Sequence, residues 1–208
     1  MKAIFRILVL FLSITSFSQN FKGEIVYANT YKSKNPQVTN EQWNLMLGTT
    51  QRYLTQDGNY KSITNGKLLQ WQLYINKDNK LYNKMSNSET IYWNDGSIQG
   101  DEIINIEINK NVEKILNLLC DEVILVCKSG VQKYYFNSSL SVEPNIFINH
   151  KFGNWYDFLL KSKSFPLKMI IENDQFIITS TATEIIPKDI ENAVFNLPPN
   201  TKTEKSMY

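Results

Sequence analysis

The feature that most constrains this chain is a hydrophobic period of two, repeated in short runs. Leu69, Trp71, Leu73 and Ile75 fall on one parity, and Gln70, Gln72, Tyr74 and Asn76 on the other. Successive side chains of a strand point to opposite faces, so this run reads as a half-buried antiparallel strand with one apolar face. Ile104, Ile106 and Ile108 alternate with Asn105 and Glu107 in the same way. Leu167, Met169 and Ile171 repeat the pattern against Lys168 and Glu172, and Phe21, Ile25 and Tyr27 share a parity around Gly23. Further β-branched and aromatic runs lie at 48–56, 59–64, 80–85, 89–94, 113–118, 121–128, 131–137 and 175–185.

Turn signals separate these runs: Asp57-Gly58, Asn65-Gly66, Asn94-Asp95-Gly96, Ser129-Gly130 and Asn173-Asp174. Such pairs supply the positive φ that tight hairpins need, so the chain reads as an antiparallel meander and not as alternating βα units. Helical signals are few. Thr39 with Gln42 resembles a capping box, and Trp43, Met46 and Leu47 follow at helical spacing, which predicts a short helix over 40–47. Asn154 is positioned to cap a second, carrying Trp155, Phe158 and Leu159 through about Lys161, and Pro187 opens a third, irregular turn over 187–193. The fold class is therefore mainly β: a strongly curved antiparallel sheet, a half-open barrel, with one to three short helices covering its concave face.

The N-terminus reads as an address. Lys2 and Arg6 precede the apolar run Ile7–Leu12, and Ser16 and Ser18 supply small residues before a cleavage point at Gln19. That is the plan of a secretory signal peptide over residues 1–18. As a membrane anchor the run is short of the roughly 20 residues that span a bilayer. No Cys stands near the cleavage point to carry a lipid. The expected product is one domain, 19–208, periplasmic or secreted.

Composition narrows the chemistry. The 208 residues carry 22 basic and 20 acidic side chains; removing Lys2 and Arg6 leaves 20 of each, which argues against nucleic acid as a partner. His150 is the only imidazole and reads as a polar loop residue, leaving little for a metal site, a triad or a cofactor anchor. The pairs Asp101-Glu102 and Asp121-Glu122 point their members to opposite faces of a strand, a poor start for general acid/base work. No G-x-S-x-G, phosphate-loop or dinucleotide fingerprint occurs. No catalytic residue, metal or cofactor is expected. Cys120 and Cys127 would stand roughly 23 Å apart on one extended strand, so a disulfide requires a turn near Asp121-Glu122; free thiols and a bridge both stay open.

The aromatic residues suggest a use. Most must be core, but a curved sheet with a helix across its mouth leaves room for an apolar pocket. Trp71 and Leu73 on one strand, Trp93 on another, and Trp155 with Phe158 on the second helix are the residues expected to line it.

Several stretches resemble a known group. Phe21-Lys22-Gly23-Glu24-Ile25-Val26-Tyr27 after the signal peptide is similar to the opening strand of an exported bacterial family of unknown function, related to the GLPGLI proteins and more distantly to the LolA/LppX-like lipoprotein carriers. Ile115–Cys120, Tyr134-Tyr135-Phe136 and Phe165-Pro166-Leu167-Lys168-Met169 resemble its central stretch. Val194-Phe195-Asn196-Leu197-Pro198-Pro199 is similar to its F-x-L-P close. Ser164–Met169 stands where the full Gly-Leu-Pro-Gly-Leu-Ile signature would be. The resemblance implies a half-open antiparallel barrel closed by helices, and distant relatives that shield acyl chains. The expectation is a non-enzymatic carrier or binding protein for an apolar ligand, a lipid or lipoprotein acyl chain, with an outer-membrane or periplasmic protein as a further partner. The alternative is a secreted structural or interaction module whose cavity is filled by its own side chains.

Overall fold

Hairpin chemistry sets the path of the chain. The structure, a computed structural model, describes residues 20–207, and the signal peptide expected over 1–18 lies outside the described residues. Within them the chain makes two consecutive meanders. The first runs through β1 (Gly23–Ser33), β2 (Thr50–Gln56), β3 (Asn59–Thr64), β4 (Leu69–Ile75), β5 (Lys80–Met85) and β6 (Ile91–Asp95). The second runs through β7 (Ile103–Ile115), β8 (Leu118–Cys127), β9 (Val131–Ser141), β10 (Ser164–Glu172) and β11 (Phe176–Pro187). β1 and β11 pair antiparallel from Gly23↔Pro187 to Ser33↔Phe176, which fuses the meanders. A short β12 (Thr203–Lys205) adds parallel to β6, giving one sheet in the order β12-β6-β5-β4-β3-β2-β1-β11-β10-β9-β8-β7.

Asp57 and Gly58 join β2 to β3 with φ of 51° and 80°, the left-handed pair that a two-residue hairpin demands. Leu116 and Asn117 do the same between β7 and β8, at 48° and 64°. A leucine in that conformation costs about 1–2 kcal/mol, and no turn rule places one there. Hence β7 is a single 13-residue strand ending at Ile115, where the sequence shows separate runs at 104–108 and 113–118.

Helix α1 (Asn40–Leu47) has the expected cap. Gln42 N donates to Thr39 Oγ1 at 3.2 Å and Thr39 N to Gln42 Oε1 at 2.7 Å. Helix α2 (Trp155–Ser162) follows Asn154, which is left-handed and makes no capping bond. Its amide instead donates to Cys127 Sγ at 3.3 Å and accepts from Gln99 at 2.9 Å, tying the start of α2 to the end of β8. The turn expected over 187–193 falls later, as a 3-10 turn at Asn192–Phe195, because Pro187 is the last residue of β11.

The sheet curls without closing. Six inter-strand steps separate β4 from β9, about 29 Å if the sheet were flat. Yet Tyr74 of β4 stacks on His150 at 4.0 Å and Tyr134 of β9 stacks on Phe158 at 4.2 Å. Both partners belong to one largely helical stretch, so the two walls bend toward α2.

Both faces of the first meander are covered. Tyr53, Tyr74 and Leu81 belong to the core under α2, with Ile25, Tyr27, Phe147, Phe158 and Phe165. Their chain neighbours Leu54, Leu73 and Tyr82 belong to a second core on the opposite face, closed by Ile190, Phe195 and Leu197 of the C-terminal arm. The F-x-L-P close is thus the cover of the convex face.

Candidate functional site

On the α2-covered face the first meander presents tyrosines. Register places Tyr60 opposite Tyr74 and Tyr53 opposite Ser62. Tyr53 stacks on Tyr60 at 5.1 Å and Tyr60 on Tyr74 at 5.3 Å, a diagonal ladder across β2, β3 and β4. Cross-strand aromatic pairs of this kind stabilise a sheet while keeping a polar edge on each ring. Tyr27 Oη donates to the Pro166 carbonyl at 2.6 Å, and Tyr74 Oη to Asn79 Oδ1 at 2.8 Å.

His150 belongs to this ladder. It is 1% exposed, lies parallel to Tyr74, and has Nε2 2.8 Å from Tyr60 Oη. This corrects the reading of a polar loop residue: the turn after Phe147 carries the ring inward under the sheet. Burial pushes its pKa down to about 3, so the imidazole is neutral. Its Nδ1 is buried without a partner.

Beside the ladder lies a partly open cavity of about 130 Å³. Tyr27, Tyr53, Tyr60, Trp155, Pro166 and Met169 give it apolar and aromatic walls, and Gln51, Ser62 and Gln72 give it a polar side. No charged residue lines it. Two donors of the lining residues, Tyr53 Oη and Trp155 Nε1, are themselves buried within the core and have no hydrogen-bond partner. Burial raises the hydroxyl pKa values of Tyr27, Tyr53 and Tyr60 above the ordinary phenol range, so all three stay protonated. Gln72 is held from outside: its amide donates to Asn83 Oδ1 at 2.8 Å, and Asn83 donates to Asn94 Oδ1 at 2.9 Å. The arrangement offers aromatic surface and hydrogen bonds in a neutral recess.

Of the five residues expected to share one lining, the structure brings two together and sets three apart. Trp155 lines the cavity, with rings of Tyr53, Tyr60 and Phe165 within 6.1–6.4 Å. Phe158, next to it on α2, is fully buried against Tyr134 and Trp155. Leu73 is in the second core, with Trp71 and Trp93 packed against it on the convex face. Lys61 lies over the Trp71 ring at 5.1 Å and Lys80 over Trp93 at 4.0 Å. The apolar parity of β4 therefore faces the C-terminal arm, and the parity bearing Gln72 and Tyr74 faces α2. Alternation shows that a strand has two faces; it does not show which face a distant segment covers. Of the missed residues, Tyr53, Tyr60, Gln51 and Gln72 carried one usable signal, tyrosines at strand spacing on the more polar parity, whereas Tyr27 shares the apolar parity of Ile25 in the first strand.

The remaining candidates have structural partners. Asp101 accepts from Ser129 at 2.6 Å, Glu102 pairs with Lys128, Asp121 with Lys110 at 2.7 Å, and Glu122 accepts from Asn109 at 2.9 Å. Cys120 and Cys127 are free, buried thiols on β8. Burial raises the thiol pKa of both, that of Cys127 to about 11. Among the described residues, no three His, Cys, Asp or Glu side chains are grouped to hold a metal ion, and no helix is long and apolar enough to cross a membrane.

No protein-family model matches the chain, and no curated protein matches it in sequence. Among solved structures, an uncharacterized conserved protein from Thermus thermophilus aligns with a TM-score of 0.47 at 8% identity, over 88% of this chain and 90% of that one. PNGF-II aligns with a TM-score of 0.50 at 13% identity, over 88% of this chain; the chain spans 32% of PNGF-II. At that identity the likeness to PNGF-II is one of fold.

Proposed function

We propose that the protein is an exported, non-catalytic binding module whose ligand sits beneath α2, against Tyr27, Tyr53, Trp155 and Met169. The observation that carries this reading is the partly open cavity itself, with aromatic walls, a polar side of Gln51, Ser62 and Gln72, and no charged residue in its lining. The same cavity bears on ligand size. Pockets for drug-sized ligands run from about 300 Å³ upward, so a long acyl chain would require α2 to swing outward, whereas a compact ligand fits as the site stands. Export, and kinship with the GLPGLI-related proteins, belong to the same proposal.

Native mass spectrometry of the protein purified from its natural host tests it. The expected result is a small-molecule adduct that Trp155→Asp abolishes while the domain stays folded. The alternative, an interaction module filled by its own side chains, draws support from the full burial of Phe147, Phe158, Leu159 and Phe165 under the sheet. A bare mass, with one protein captured at fixed stoichiometry, would favour that alternative.

A further inference from the structure

The longest strand of the sheet is also its edge. β7 runs over 13 residues, stands last in the strand order and pairs with β8 alone, so one side of it carries no strand partner. A long edge of this kind is a template for another strand. Here the edge is apolar as well. Five of the eleven large apolar side chains exposed among the described residues belong to the β7–β8 hairpin: Ile104, Ile108, Val112, Leu116 and Leu119. Ile104, Ile106 and Ile108 alternate as a half-buried strand should, yet Ile104 is 66% exposed and Ile108 46%. An apolar parity patterned for burial and left open to water marks a surface that an assembly covers.

The residues of the edge select its partner. Bulges between Ile103 and Asn105 and between Asn109 and Glu113 confine the regular edge to about Ile104–Asn109. In an antiparallel pair related by a two-fold axis, opposite residues share a face, so the pair centres on a residue and not between two. Centring on Glu107 sets that carboxylate against its own copy. Centres on Asn105 and Ile108 set an apolar side chain against a charge, Ile103 against Glu107 and Ile106 against Lys110. Centring on Ile106 sets Ile106 against itself, Asn105 against Glu107, and Ile104 against Ile108. Charge agrees at the ends of this stretch: the acidic pair Asp101-Glu102 of each copy comes opposite Lys110 of the other. Lys110 and Glu102 now hold only surface pairs, with Asp121 and Lys128, and their side chains are 69% and 65% exposed.

We infer that two copies of the chain associate antiparallel through β7, centred on Ile106, so that their sheets run on across the interface. Ile104 of each copy covers Ile108 of the other. The cavity beneath α2 draws on no β7 residue, so this surface stands apart from the binding reading. So short a pairing lies at or below the roughly 1,200 Å² at which stable complexes begin, which makes the dimer a reversible one.

Sedimentation equilibrium of the full mature chain, from micromolar to millimolar concentration, tests this. The expected result is a reversible monomer–dimer equilibrium. Ile108→Lys and Ile104→Lys each change an exposed side chain, so each should keep the cooperative urea transition while raising the dimer dissociation constant at least tenfold. Mild oxidation should link two copies through Ile106→Cys, whose sulfurs the centre brings together, and not through Ile108→Cys, which faces Ile104. A chain monomeric throughout the range, whether or not it captures another protein, would overturn the inference, as would a dimer indifferent to both lysine substitutions. Linkage through Ile108→Cys but not Ile106→Cys would overturn the pairing centred on Ile106.

Discussion

His150 joins burial to a measurable pH response. Its ring is stacked on Tyr74, its Nε2 is engaged with Tyr60, and desolvation lowers its pKa to about 3 from the ordinary 6.5. In the unfolded chain the imidazole takes up a proton below pH 6.5, whereas the folded chain resists until about pH 3. Its contribution is thus complete above pH 6.5 and is lost as the pH falls toward 3, at about 1.4 kcal/mol per unit, or about 2 kcal/mol by pH 5. Urea midpoints should fall from pH 7 to pH 5 in the native sequence, with a clearly smaller fall in His150→Gln. Equal slopes in the two proteins would show that other groups govern acid sensitivity. Tyr53 makes the complementary case. Its hydroxyl is buried with no bond, so Tyr53→Phe should leave urea stability unchanged or raise it by up to about 1 kcal/mol, where most core substitutions lower it.

At the scale of elements, the C-terminal arm has a role that its sequence does not announce. After β11 it crosses the convex face, buries Ile190 and Phe195 over Leu54 and Leu73, and returns as β12 along β6. Trp93 is held there between Lys80 and Lys205, at 4.0 and 5.8 Å from the ring. Emptying the Phe195 site should therefore cost what a core phenylalanine costs: Phe195→Ala is expected to destabilise by about 3 kcal/mol in urea unfolding. A loss under about 1 kcal/mol would mean that the arm is only loosely laid on the sheet. The contrast with α1 shows what was legible. The Thr39–Gln42 box is a local signal, and local signals survive into the structure, as do the Asp57-Gly58 hairpin and most strand positions. The assignment of Trp71, Leu73 and Trp93 to the α2 side failed because it depended on a contact with residues 190–197, about a hundred positions or more away. The cavity itself was legible only in part. Trp155 could be named from the helix, but the tyrosine ladder sat on the parity that alternation marks as solvent-facing.

For the whole molecule, topology decides how the chain folds. Each meander is built from neighbours in sequence, but the two are joined side by side through β1 and β11, whose paired ends Gly23 and Pro187 are about 160 residues apart. The core under α2 draws on both meanders, with Tyr53 and Tyr74 from the first and Tyr134, Phe158 and Phe165 from the second. Closing so long a loop must precede the burial that repays it, so refolding is expected in milliseconds to seconds rather than microseconds. The same seam predicts what truncation does. A chain ending at Glu172 keeps β1–β10 and α2 but loses β11, the strand between the meanders, and should show no cooperative urea transition and no fixed near-UV circular dichroism. A chain ending at Lys202 loses β12 and the short tail behind it, and should retain both signals at reduced stability. Were the Glu172 fragment to unfold cooperatively, the meanders would be independent units, and the aromatic core that unites them around the cavity would be an accident of contact and not the basis of the fold.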